Sequence, residues 1–96
     1  MNVVWTAAAI HDRKAIWQYI AAEDRDAANR LDRLFQAAAE RLQDNPLLGR
    51  AGQVVGTREL FPHENYRLVY EVSATTVFIL TLVHTARLWP PDTGAQ

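Results

Sequence analysis

With 96 residues, 49% of them hydrophobic and 22% charged, the chain has the composition of one ordinary globular domain, too short for a core plus a deep enclosed cavity, so a site is expected on a shallow groove or an open face. A formal net charge of −1 speaks against a protein held to nucleic acid by bulk positive charge. The absence of cysteine removes disulfides and thiolate metal sites, and no apolar run approaches the roughly 20 residues of a membrane span, so the default expectation is a cytoplasmic chain without a membrane segment or secretory leader.

Asn2 to Trp5 is a short β-prone opening, and Thr6 is placed to cap a following helix with its hydroxyl. From Ala7 to about Glu23, Ile10, Trp17 and Ile20 fall on one helical stripe with Ile16 beside them, which predicts Trp17 as a core anchor and leaves Asp12, Arg13 and Gln18 elsewhere. His11 has no local partner, and its neighbour Asp12 points away from it on a helix. The polar run Glu23-Asp24-Arg25-Asp26 marks a tight turn into a second helix. There, over Ala27 to Asp44, Leu31, Leu34, Phe35, Ala38 and Leu42 give the clearest helical period of the chain. Asn45-Pro46 stops it, because the residue before a proline is pushed out of helical geometry.

Leu47 to Val55 reads as a loop, long enough to be functional. Three strands follow. The first runs through Thr57-Arg58-Glu59-Leu60-Phe61 and ends in a turn at Pro62-His63-Glu64-Asn65, where His63 is expected exposed, and structural or inert. In the second, Tyr66, Leu68, Tyr70 and Val72 alternate with Arg67, Val69 and Glu71, so one side is core and the other carries Arg67. The third, Val77 to Val83, is apolar nearly throughout and predicts an interior strand at the sheet centre. A two- or four-residue turn about Ala74-Thr75 sets Val72 against Val77 and Arg67 against Leu82, which brings His84 diagonally beside Arg67 on one sheet face; a three-residue loop undoes this pairing. The tail from Pro90 to Gln96 has no apolar period and is expected to fray. No linker or repeat divides the chain, so residues 1–96 read as a single domain.

Charge is distributed unevenly. Residues 1–45 hold six basic and seven acidic side chains; the remainder holds four of each, and its basic residues are all arginines, Arg50, Arg58, Arg67 and Arg87. A guanidinium offers a planar fork for phosphate or carboxylate, while the plain alternative is an ion pair such as Arg58 with Glu59 or Glu64. His11, His63 and His84 have no metal-ligand spacing, and neither a glycine-rich phosphate loop nor a paired-carboxylate motif is present, so no metal or other cofactor is expected.

The chain resembles the RelE/ParE superfamily, the toxin halves of bacterial type II toxin–antitoxin pairs. The resemblance rests on Trp5-Thr6 with Ala9 and Asp12, Tyr19-Ile20-Ala21, Ala27-Ala28-Asn29-Arg30-Leu31, Asn45-Pro46-Leu47, Gly56-Thr57-Arg58-Glu59-Leu60, Tyr66-Arg67-Leu68-Val69-Tyr70, and Val83-His84 followed by Arg87 and Trp89-Pro90. It implies an α+β fold in which an N-terminal strand precedes an antiparallel helical hairpin packed on an antiparallel sheet of about four strands. It also implies a cognate antitoxin, bound as a hetero-oligomer, and one of two targets. ParE-like members inhibit DNA gyrase, whereas RelE-like members cut messenger RNA in the ribosome. Metal-free cleavage needs an acid, a base and cationic donors for the transition state. For a nuclease the resemblance offers Arg67 and Arg58 as donors and His84 as acid or base, but the additional basic residues and the C-terminal tyrosine of active RelE-like nucleases are replaced here by Thr85, Ala86, Leu88 and Trp89. The ParE-like reading is therefore favoured, with no catalytic residue assigned. The candidate surface for target or antitoxin comprises Arg50, Arg58, Arg67, His84, Arg87 and Trp89.

Overall fold

A computed structural model describes residues 1–92. Its elements are β1 (Asn2–Trp5), α1 (Ala7–Ala21), α2 (Arg25–Asp44), β2 (Arg50–Ala51), β3 (Arg58–His63), β4 (Tyr66–Val72) and β5 (Thr76–His84). The α+β class is as expected, and the helical hairpin covers one face of the sheet. The sheet itself is mixed and five-stranded, in the order β1-β5-β4-β3-β2. β1 lies parallel to β5, with Val3 opposite Val77 and Trp5 opposite Ile79. β5 is interior, as its apolar run predicts, while β4 takes the centre. β2 is a two-residue edge strand formed within the stretch that reads as loop.

Both helix starts follow from their caps. Thr6 Oγ1 accepts from the Ala9 amide at 3.3 Å and donates to the Ile79 carbonyl at 2.7 Å, so one hydroxyl starts α1 and fixes it to β5. Asp24 caps α2 through the Ala27 amide at 3.0 Å. Asp12 adds a second tie between α1 and β5, accepting from Thr81 Oγ1 at 2.5 Å and from the Leu82 amide at 3.3 Å.

The core joins Leu31, Phe35, Ala38, Ala39 and Leu42 of α2 to Leu68 and Tyr70 of β4 and to Val77, Ile79 and Leu82 of β5. Most of the α2 period is thus inward, but Leu34 is 43% exposed. The α1 stripe departs further from expectation. Ala9 is its one fully buried residue, Ile10 is 56% exposed, and Trp17 is half-buried, its Nε1 donating to Asn29 Oδ1 at 2.9 Å rather than entering the core. α1 packs against α2 and β5, and only Ala9 enters the core cluster, with Ile16 and Ile20 packed against it.

The register of β4 against β5 also differs from expectation. Val72 does face Val77, but β5 carries an extra residue, Leu80, between the Tyr70–Ile79 and Val69–Thr81 pairs. Beyond this bulge the pairing shifts by one, so Leu68 rather than Arg67 opposes Leu82, Arg67 opposes Val83, and Tyr66 opposes His84. Because a shift of one exchanges sheet faces, Arg67 and His84 end on opposite sides of the sheet.

Candidate functional site

Two separate groups of polar side chains result. On the sheet face away from the helices, Glu59 of β3 is fully buried, with Arg50 opposite it on β2 and Arg67 on β4. Arg67 Nη1 stands 3.6 Å from Glu59 Oε1, and Arg50 Nη2 stands 4.0 Å from the same oxygen. The Gln53 amide donates to Glu59 Oε2 at 3.0 Å, so the loop after β2 folds over this carboxylate. Phe61 lies beneath both cations, at 4.9 Å from the Arg50 guanidinium and 5.6 Å from that of Arg67. Arg67 therefore does occupy the side opposite the core, as the alternation predicts, but its side chain is only 12% exposed. It neutralises an internal carboxylate.

Arg58 does not pair with Glu59, since neighbouring residues of a strand point to opposite faces. It shares Tyr70's side of the sheet and donates through Nη1 to the Gly49 carbonyl at 2.8 Å. The Tyr70 hydroxyl, in turn, donates to the Pro46 carbonyl at 2.8 Å and accepts from the Gly49 amide at 2.9 Å. Burial raises the Tyr70 pKa, against smaller opposing effects of the Gly49 bond and of Arg58. Arg58 and Tyr70 thus hold the chain where it leaves α2.

The second group lies on the helix side, at the end of the sheet where β3, β4 and β5 meet the hairpin. The Tyr66 ring packs edge-on against Phe35 at 5.5 Å and His84 at 5.1 Å, with His63 at 6.3 Å. Both imidazoles accept a backbone amide at Nδ1 at 3.0 Å, from Asn65 for His63 and from Ala86 for His84. This fixes the proton of each neutral ring on Nε2, leaving that atom as a donor. His63 is accordingly half-buried and part of a cluster, where the sequence suggests an exposed turn residue. Burial raises the Tyr66 pKa, with Tyr19 adding to the rise and Arg87 opposing it.

These three side chains form one wall of an open groove of about 800 Å³. Ile20, Leu31 and Leu34 supply its apolar floor and sides, and Arg30 and Arg33 its basic rim. Arg87 is exposed and Trp89 half-buried, its Nε1 shielded from solvent. Residues 93–96 of the tail expected to fray lie outside the described residues.

Sequence reasoning misses Glu59, His63 and Tyr66 as site residues. The available signal is the strand period, which puts Tyr66 on the core side, next to the turn that carries His63. Among the described residues, no three histidines or carboxylates come together to hold a metal ion, and no helix is long and apolar enough to cross a membrane.

The family of ParE toxins of type II toxin–antitoxin systems (parDE) matches residues 3–89. The Y4kP protein of Sinorhizobium fredii is 36% identical over 90 residues, covering 93% of each chain. Toxin RelE2 of Caulobacter vibrioides is 36% identical over 87 residues, or 91% of this chain and 98% of that protein. Among solved structures, the chromosomal ParDE system from P. aeruginosa aligns over 88% of this chain and 95% of its counterpart with a TM-score of 0.77 at 23% identity. The YoeB/ParE toxin from Agrobacterium tumefaciens aligns over 88% and 98%, with a TM-score of 0.63 at 18% identity. At these identities the solved structures speak to the fold.

Proposed function

The chain belongs to the ParE toxin family of type II toxin–antitoxin systems, and from that premise we propose that it inhibits growth by binding DNA gyrase as a protein ligand, and that its antitoxin neutralises it in the cytoplasm. The observation that carries the gyrase reading is the separation of Arg67 from His84. A nuclease needs its cationic donor and its acid or base on one scissile phosphate. Here Arg67 is committed to Glu59 on one face of the sheet, and His84 packs on Tyr66 on the other.

The antitoxin, in this reading, lays an apolar and acidic segment in the groove between α2 and the ends of β4 and β5. Leu34 and Ile20 supply the apolar contact there, and Arg30 and Arg33 the charge. A cognate partner would thereby cover apolar surface that the isolated fold leaves in water.

One observation favours ribosome-dependent cleavage of messenger RNA as the second reading. His63, Tyr66 and His84 form a contiguous set of possible proton donors and acceptors with Arg30 and Arg33 across the same groove. Inducing the chain alone in growing bacteria separates the two. Gyrase inhibition produces filamentation and DNA-damage signalling while translation continues, and purified protein blocks supercoiling. Immediate arrest of translation with cut ribosome-bound messenger, and no effect on supercoiling, would install the nuclease reading instead.

A further inference from the structure

A second groove, of about 430 Å³, runs along the outer side of α1 and is lined by Trp5, Ile10, Arg13, Lys14, Trp17 and Asp32. None of these residues lines the groove assigned to the antitoxin. We infer that this second groove is the surface by which the toxin grips its protein target, taking an apolar side chain between the indoles of Trp5 and Trp17 and an adjacent carboxylate on Lys14.

Ile10, Lys14 and Trp17 lie at i, i+4 and i+7, one stripe of α1, and of its apolar members Ile10 is exposed and Trp17 only half-buried although the spacing is that of a packed helix face. Ile10 is 56% exposed. Burying such surface is favourable, and among the described residues nothing covers Ile10. Tryptophan is also the side chain most enriched at the centres of protein interfaces, where its large ring anchors and its polar edge stays satisfied.

The surrounding charges specify the occupant. Arg13 is bidentate on Asp32, at 2.6 Å from Nε to Oδ1 and 2.9 Å from Nη2 to Oδ2, and its guanidinium lies 4.6 Å over the Trp5 ring. Arg25 lies 5.8 Å from the Trp17 ring. The acid of the groove is thus neutralised and both indoles are braced by cations. Lys14, the chain's only lysine, has neither an acid nor a hydrogen-bond partner among the described residues. A wall that is apolar and net positive fits an apolar residue flanked by Asp or Glu, and it rejects a basic segment.

The inference rests on the proposal that the toxin acts by gripping a protein, with gyrase as the probe. The test uses the full-length toxin, co-expressed with its antitoxin and then separated, carrying Ile10→Asp or Lys14→Glu. Three readouts are taken: antitoxin affinity, binding to purified gyrase holoenzyme, and growth inhibition on induction. Both variants are expected to fold and to hold the antitoxin as the parent does, to lose gyrase affinity by about tenfold or more, and to lose growth inhibition. Folded variants that arrest growth like the parent would overturn the inference, as would loss of antitoxin binding in step with toxicity, which would mark a structural effect. If the parent itself fails to bind gyrase, the gyrase reading falls. The groove is then decided by growth inhibition alone, standing if the variants lose it with antitoxin affinity intact and falling if they keep it.

Discussion

Arg67 of β4 and Glu59 of β3 lie diagonally on neighbouring strands, Glu59 being opposite Val69, with Nη1 and Oε1 3.6 Å apart, the carboxylate fully buried and the arginine nearly so. The separation is beyond hydrogen-bond reach, and neither of these atoms, nor Arg67 Nε, has a hydrogen-bond partner among the described residues. The pair is held by charge and enclosure.

Removing one member should therefore be costly. Glu59→Ala strands a largely buried Arg67 and is expected to destabilise by about 3–5 kcal/mol, whereas the double replacement Glu59→Leu with Arg67→Met should be near neutral or stabilising. Urea denaturation of the two single variants and the double variant checks this through their coupling energy. Additive costs would mean that the two groups do not interact.

Leu34 and Phe35 are adjacent on α2 but differ in fate, at 43% and 1% exposed. Phe35→Ala should cost about 3–5 kcal/mol through lost burial and an unfilled cavity. Leu34→Ala should stay within about 1 kcal/mol while weakening antitoxin binding. Melting curves paired with calorimetric titration of the antitoxin separate the two effects.

Tyr70→Phe deletes the hydroxyl between Pro46 and Gly49 and leaves a buried amide without an acceptor, at a cost of about 1–3 kcal/mol. Hydrogen exchange at the Gly49 amide should accelerate more than exchange in the helices if the loop is released locally.

The same tyrosine gives a pH dependence. The pKa values of Tyr66 and Tyr70 are raised above 10.0 by burial, so above that pH the unfolded chain releases protons that the folded chain retains. Stability is then fully present below pH 10.0 and falls as pH rises toward the folded-state values. Alkaline unfolding should be less steep in Tyr70→Phe than in the parent; an unchanged slope would remove Tyr70 from the account.

Gly49 is required by space. A Cβ there would stand 2.7 Å from the Glu59 carbonyl oxygen and 2.8 Å from the Tyr70 hydroxyl. Gly49→Ala is expected to destabilise by about 1–3 kcal/mol through overpacking, and a crystal structure should show the loop displaced from β3.

The sequence by itself determined the hairpin, the strand segments and the sides of β4. These depend on local chemistry: a period of 3.6 in α2, a period of two from Tyr66 to Val72, the caps Thr6 and Asp24, and the stop at Asn45-Pro46. Its family motifs were legible for the same reason, as short runs in a fixed order. Tertiary structure decided what depends on pairing between distant segments. β1 gains its place only by lying parallel to a strand about 70 residues away. The extra residue at Leu80 separates His84 from Arg67 and sets it against Tyr66, because a slip of one residue moves a side chain to the other face of a sheet. Glu59 reads as an ordinary surface acid until β2, β4 and the loop at Gln53 close around it. Ile10 and Trp17 have the spacing of core residues, but helical periodicity fixes only which residues share a face; whether that face meets the sheet or the solvent depends on where the helix is docked.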